Sequence, residues 1–288
     1  MMRGCRQLGA MAAAVLFLSG AGAAAGQTPK NTAQTTGSHS IIAGDTPRAK
    51  AAPLTMRKII LVGDSTVAPV SGWGGAFCAY HVAAHVACVN LARGGRSSRS
   101  YREEGSWDVA LAEMSVSGYA ATYVLIQFGH NDQNHGMKVW TDIDTEYPEN
   151  LRGFVREARV RGAIPVLVTP MVRRLFKDGA LDNILAIWAG KMRAVADEMQ
   201  VPVIDLNRAS AALVSSLGPD GAPYLAQLRP GETPPTPPTA TGEPGPLYRF
   251  DLRDDPTHLG DGGARRIAAI VAHDLAVAAP GLSGVIAP

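Results

Sequence analysis

Residues 57–66 read RKIILVGDST. The run Ile59-Ile60-Leu61-Val62 is apolar and rich in β-branched residues, the pattern of a strand buried on both faces. It stops at Gly63-Asp64-Ser65-Thr66, so a buried strand delivers a serine at its end. A serine hydroxyl is a poor nucleophile at neutral pH until a base takes its proton. No histidine occupies positions 66–80, so a chemically active Ser65 needs a base from far along the chain.

Similar runs recur outward from this one. Segments 86–91, 122–128 (TYVLIQF), 164–169 (IPVLVT) and 201–206 (VPVIDL) read as four more buried strands. Helical patterns lie between and after them. Trp107, Ala110, Leu111 and Met114 share one face, as do Leu185, Trp188, Met192, Val195 and Met199, and then Ala264, Ile267, Ala268, Val271 and Leu275. Alternating strands and helices predict an α/β fold, a five-stranded parallel sheet with helices on both faces. In such a sheet the ligand site lies beyond the carboxyl ends of the strands.

With 288 residues, 46% hydrophobic and 18% charged, the chain can bury one substantial core. Residues 1–25 read as a secretory signal. Arg3 and Arg6 precede a short apolar stretch, Met11 to Leu18, and Ala23-Ala24-Ala25 has the form of a cleavage site. The stretch is too short to span a bilayer, and Cys5 precedes it, which disfavours a lipoprotein. Without the signal's two arginines, 25 basic residues face 25 acidic ones. A neutral chain has no global field for nucleic acid, and no membrane contact is expected after cleavage. Secreted or periplasmic location and a monomeric state are the expectations. Residues 26–55 read as a flexible linker, 56–280 as the folded domain and 281–288 as a C-terminal tail. The proline-rich stretch 229–246, RPGETPPTPPTATGEPGP, reads as an insertion in that domain, either a surface loop or a wall beside the site. Two cysteines of the mature chain, Cys78 and Cys88, are either bridged or simply buried.

The strand ends hold the parts that acyl transfer needs. The first offers Ser65, the second the glycine turn of NLARGGRSS, the third Asn131 in FGHND. Backbone N–H groups of Ser65 and Gly95, with the Asn131 amide, could stabilise a tetrahedral oxyanion. His258 in DDPTHLGDGGARR supplies a base, and Asp255, three residues before it, a carboxylate to orient the ring. Each part alone has a plainer meaning, a helix cap, a turn or a surface histidine. Their order and their placement at sheet ends carry the reading. The G-x-S-x-G elbow is absent, because position 67 is Val.

These blocks resemble the SGNH (GDSL-like) hydrolases, and more narrowly the rhamnogalacturonan acetylesterases. The matching stretches are GDST at 63–66, GWGG at 72–75, GGRSSRSYREEGSWD at 94–108, FGHND at 128–132 and DPTH at 255–258. The resemblance implies a flavodoxin-like three-layer α/β/α fold, no metal and no cofactor. It further implies removal of acetyl groups from pectic polysaccharide, with Ser65, Asp255 and His258 catalytic and Ser65, Gly95 and Asn131 forming the oxyanion hole. Pro256 within the Asp-to-His loop and the proline-rich insertion depart from the family pattern, and Asp254 competes with Asp255 as the orienting carboxylate.

Other candidates are weighed against structural roles. Arg93, Arg96, Arg99 and Arg102 recur every three residues and either form a carboxylate pocket or bond loop carbonyls. Arg96 and Trp73 stand as candidate substrate-binding residues, Trp73 either stacking on a sugar or packing in the core. His81 and His85 are four apart but lack a third ligand at metal-binding spacing. TDIDTE at 141–146 lacks the calcium-loop pattern, and His130 is read as structural. A lipid ester, a thioester, acetyl-xylan, or a binding module without catalysis remain the competing functions.

Overall fold

The computed structural model describes residues 56–226 and 255–287. The signal, the linker, the proline-rich stretch and Asp254 lie outside the described residues. In chain order the elements are β1 (Arg57–Gly63), α1 (Gly74–Tyr80), β2 (Ala87–Asn90), α2 (Ser100–Glu103), α3 (Ser106–Met114), β3 (Ala121–Gln127), α4 (Glu146–Val160), β4 (Ile164–Val168), β5 (Phe176–Lys177), β6 (Ala180–Leu181), α5 (Ala186–Met199), β7 (Val203–Ile204), α6 (Leu206–Gly221) and α7 (Asp261–Ala278). Short 3₁₀ turns cover Ala222–Leu225 and Pro280–Leu282.

All five expected strands form one parallel sheet in the order β2-β1-β3-β4-β7, the flavodoxin-like arrangement. β5 and β6 make a separate two-stranded hairpin. Alternate residues of β1 enter two cores. Ile59 and Leu61 pack with Phe77 of α1, Leu206 and Val214 of α6, and Ile267 and Val271 of α7. Ile60 and Val62 face Trp107 of α3, Leu151 and Phe154 of α4, and Trp188 and Met192 of α5. Period-two alternation therefore builds the three layers from a single apolar run. The helix α4 was not singled out from sequence. Tyr147, Leu151, Phe154 and Ala158 line its buried face, and Glu146 and Glu149 sit favourably in its first turn.

Cys78 of α1 and Cys88 of β2 form a disulfide that ties a helix to the sheet's edge strand. Residues 281–287 are not a free tail. Leu282, Val285 and Ile286 are buried, Ile286 bridges Val82, and Ala287 N–H donates to His81 O. Three apolar side chains gain more by docking on the edge of the core than by remaining in water.

Candidate active site

Gly63 ends β1 because nothing larger fits. A Cβ there would lie 2.6 Å from Val67 Cγ2 and 2.7 Å from Gln127 O. The chain then turns tightly, with Val67 and Ala68 N–H both bonded to Asp64 O, and presents Ser65 at the sheet's carboxyl end. A buried polar chain fixes this turn. Trp73 Nε1 donates to Gln127 Oε1 at 3.0 Å, Gln127 Nε2 donates to Thr66 Oγ1 at 2.6 Å, and Thr66 donates through N–H and Oγ1 to Asp64 Oδ1 at 2.8 and 2.7 Å. Burial pushes the Asp64 carboxyl up, but the His130 imidazole 3.6 Å away and the Thr66 donors outweigh it and hold the pKa below its ordinary value.

The candidate base comes from a loop whose described residues, 255–260, have no regular structure, just before α7. His258 Nε2 lies 2.7 Å from Ser65 Oγ, and its Nδ1 lies 2.6 Å from Asp255 Oδ2. Asp255 Oδ1 also accepts the N–H groups of Thr257 at 2.6 Å and His258 at 2.9 Å. Burial raises the Asp255 pKa, yet the His258 and Thr257 bonds lower it further, so the net shift is down. The carboxylate thus stays charged and fixes the ring tautomer that leaves Nε2 toward the serine.

Arg174 holds this loop from behind. Its backbone N–H donates to Pro256 O at 2.7 Å, and its guanidinium donates to Asp255 O, to His258 O at 2.7 Å and to Thr257 O at 3.5 Å. All four loop carbonyls are therefore engaged by one residue. Burial lowers the Arg174 pKa to about 10 against the opposing charge of Asp255, so it remains a cation at neutral pH. Ser71 supplies a second tie. Its hydroxyl donates to Ser65 O at 3.0 Å, and its carbonyl accepts Leu259 N–H at 2.9 Å, joining the Ser65 turn to the His258 loop. Ser71 does so at φ +82°, a left-handed backbone that a serine rarely adopts.

The opposite wall carries Gly95 and Asn131. Gly95 turns at φ +77°. Asn131 Nδ2 donates to Arg96 O at 2.9 Å, which orients the amide nitrogen toward the glycine turn. Behind them Asp132 braces the wall. Its Oδ1 accepts from Ser98 N–H at 3.0 Å, from the Ser98 hydroxyl and from the Thr141 hydroxyl at 3.0 Å. Complete burial raises the Asp132 pKa to about 6 despite those donors, and nearby Asp64 adds to the rise.

Ser65, His258, Gly95, Asn131, Arg96, His130 and Arg173 all line one cleft of about 600 Å³. Two candidates take different places. Trp73 is fully buried, bonded to Gln127 and edge-on to Phe77, so it packs in the core and cannot stack on a sugar. Arg96 lines the cleft, but its guanidinium is engaged by Glu104 and Gly94 O, which secures the glycine turn. The other arginines of the series also have acidic partners, Arg93 with Glu104, Arg99 with Glu146 and Arg102 with Glu157. His81 contacts Ala287 O through Nδ1. Ser71, Arg173 and Arg174 escaped sequence reading. The arginine pair follows β4, a strand end where a ligand site is expected, and that position was the available signal.

Residues 61–266 match the GDSL-like lipase/acylhydrolase family. The chain is 35% identical over 228 residues to the rhamnogalacturonan acetylesterase RhgT of Bacillus subtilis, covering 76% of this chain and 89% of that protein. It is 32% identical over 167 residues to a probable rhamnogalacturonan acetylesterase, YesY, of the same organism, covering 56% of this chain and 75% of the other. Among solved structures, Bacillus subtilis YxiM superposes with a TM-score of 0.60 at 25% identity, over 81% of this chain and 59% of that one. An acetylxylan esterase from Geobacillus stearothermophilus shares the fold with a TM-score of 0.52 at 17% identity, over 76% of this chain and 93% of that one. With its serine at the end of β1, its histidine before the last helix and this match across most of its length, the chain belongs to the GDSL-like lipase/acylhydrolase family.

Proposed function

We propose that this protein is an exported serine esterase that removes acetyl groups from polysaccharide, most specifically pectic rhamnogalacturonan. The observation that carries the reading is the continuous hydrogen-bonded line from Asp255 through His258 to Ser65 at the mouth of the cleft. Ser65 Oγ attacks the acetyl carbonyl while His258 Nε2 takes its proton, and Asp255 stabilises the imidazolium. The oxyanion is met by the N–H groups of Ser65 and Gly95 and by Asn131. A carboxamide nitrogen carries two hydrogens, so the bond to Arg96 O leaves one for the substrate. Collapse breaks the ester bond, and His258 returns the proton to the departing sugar oxygen. Water, deprotonated by His258, then attacks the acetyl-serine, releasing acetate and restoring the serine.

The relatives named as rhamnogalacturonan acetylesterases support the substrate class. The Cys78–Cys88 disulfide supports export, because such bonds persist mainly in oxidising compartments. The test is acetate release from acetylated rhamnogalacturonan, acetylated xylan and p-nitrophenyl acetate. Fastest turnover on rhamnogalacturonan is expected. Faster turnover on xylan would replace the substrate, and no release from any of them would remove the esterase.

A further inference from the structure

Arg173 lies in the loop that follows β4, lines the cleft beside Ser65 and His258, and is only partly exposed. Unlike the four arginines of the 93–102 series, its guanidinium meets neutral oxygens among the described residues. Nη2 donates to His130 O at 3.1 Å. The Gln133 amide oxygen, turned toward it, accepts from Nε at 3.3 Å and Nη2 at 3.1 Å. Asp64 and Asp255 act on it only through their fields, and burial opposes its charge. A partly desolvated cation without a carboxylate partner gains strongly from an anion that enters the cleft.

We infer that Arg173 binds the carboxylate of a uronate unit next to the acetylated position, so that it, and not Arg96, Arg99 or Arg102, selects an acidic backbone. The inference rests on the esterase reading and specifies its substrate. A guanidinium fork matches a carboxylate with two parallel donors, which a neutral xylan chain cannot use. Its anchoring to His130 O places the charge one residue from Asn131, so carboxylate and scissile acetyl occupy adjacent parts of one cleft. Because the charge is half enclosed, added salt screens it less than an exposed patch.

The test uses the hydrolysis of p-nitrophenyl acetate as a readout, with digalacturonate and xylobiose as competing ligands. The ratio of their inhibition constants is compared in wild type, Arg173→Gln and Arg173→Lys. The wild type should bind digalacturonate at least about tenfold more tightly than xylobiose. Arg173→Gln should erase that preference, and Arg173→Lys, which keeps the charge but loses the fork, should retain part of it. On acetylated rhamnogalacturonan the loss should fall mainly on KM. A wild type that binds both disaccharides equally would overturn the inference. So would variants that lose kcat while keeping the preference, since Arg173 would then merely hold the His130–Asn131 turn. If the wild type deacetylates xylan faster yet Arg173→Gln still loses digalacturonate, the substrate reading fails and the carboxylate site stands. If rhamnogalacturonan is the preferred substrate and Arg173→Gln keeps its preference, only the carboxylate site fails.

Discussion

Ser65 and His258, the proposed nucleophile and its proposed base, are held by opposite means. Ser65 follows a seven-residue strand paired on both sides, and its turn is locked by the Trp73–Gln127–Thr66–Asp64 chain. His258 sits in a loop without helix or strand, and its position depends on side chains from elsewhere, chiefly Arg174 and Ser71. A strand end is rigid because its ladder is already paid for by the core. A loop must be fixed by tertiary hydrogen bonds of its own. The two halves of one catalytic line should therefore respond differently to mutation.

The largest effect belongs to the strand side. Ser65→Ala should remove esterase activity by several orders of magnitude with the melting temperature near wild type, because in the proposed mechanism the hydroxyl forms the covalent bond. Turnover of p-nitrophenyl acetate close to wild type would reduce Ser65 to a turn residue and dissolve the comparison. Next comes the oxyanion wall. Asn131→Ala should lower kcat by roughly 10²–10³ with little change in KM, the usual cost of one oxyanion donor. A change in KM alone would make Asn131 a binding residue.

The loop side should yield a smaller, graded loss. Arg174→Met frees the carbonyls of Asp255, Thr257 and His258 from their guanidinium donor and keeps the backbone bond to Pro256 O. A misplacement of about 1 Å can cost up to 10²-fold, so kcat should fall about tenfold to a hundredfold while KM changes little. Arg174→Lys should recover part of it. If neither variant changes kcat, the loop holds itself through the Asp255 bonds, and the contrast between the halves is lost.

The smallest effect concerns stability alone. With its folded pKa raised to about 6 from an ordinary 3.8, Asp132 favours the fold when protonated. Its contribution is fully present below about pH 4 and is lost as pH rises toward 6 and beyond. Asp132→Asn keeps an oxygen to accept from Ser98 and Thr141 but cannot ionise. The melting temperature of the variant minus that of the wild type should therefore climb between pH 4 and 7 and then level off. Asp64 and Asp255, whose pKa values are lowered, act in the opposite sense, losing stabilisation at acid pH; Asp255 cancels in this difference because both proteins have it, and the repulsion between Asp64 and Asp132 is part of the rise that Asp132→Asn removes. A flat difference would show that Asp132 ionises as it does in the unfolded chain.

Much of this architecture was legible along the chain. The five apolar runs were enough to announce the sheet: the central strands β1, β3 and β4 are buried on both faces and leave no polar alternation to misread, and the half-buried edge strands β2 and β7 still carry short apolar runs. Ser65, Gly95, Asn131 and His258 were findable because each follows a strand or precedes a helix, positions that local pattern marks. Asp255 was favoured over Asp254 by its three-residue spacing from His258 together with the family pattern.

The remainder depended on side-chain partners that sequence distance hides. Trp73 read as a core residue or a sugar platform, packing being favoured, since an aromatic near a glycine turn has the same local pattern whether it faces water or Gln127. The Arg93–Arg102 series suggested a carboxylate pocket, but Glu104, Glu146 and Glu157 engage those charges, in part from another helix. Arg173 and Arg174 are neighbours in the chain with opposite employment, one in the cleft and one behind the base loop. Local pattern determines which backbone a segment adopts, because burial and hydrogen bonding act within a few residues. Which charge finds an acid, and which is left facing the cleft, is settled only when segments as far apart as 174 and 258 meet.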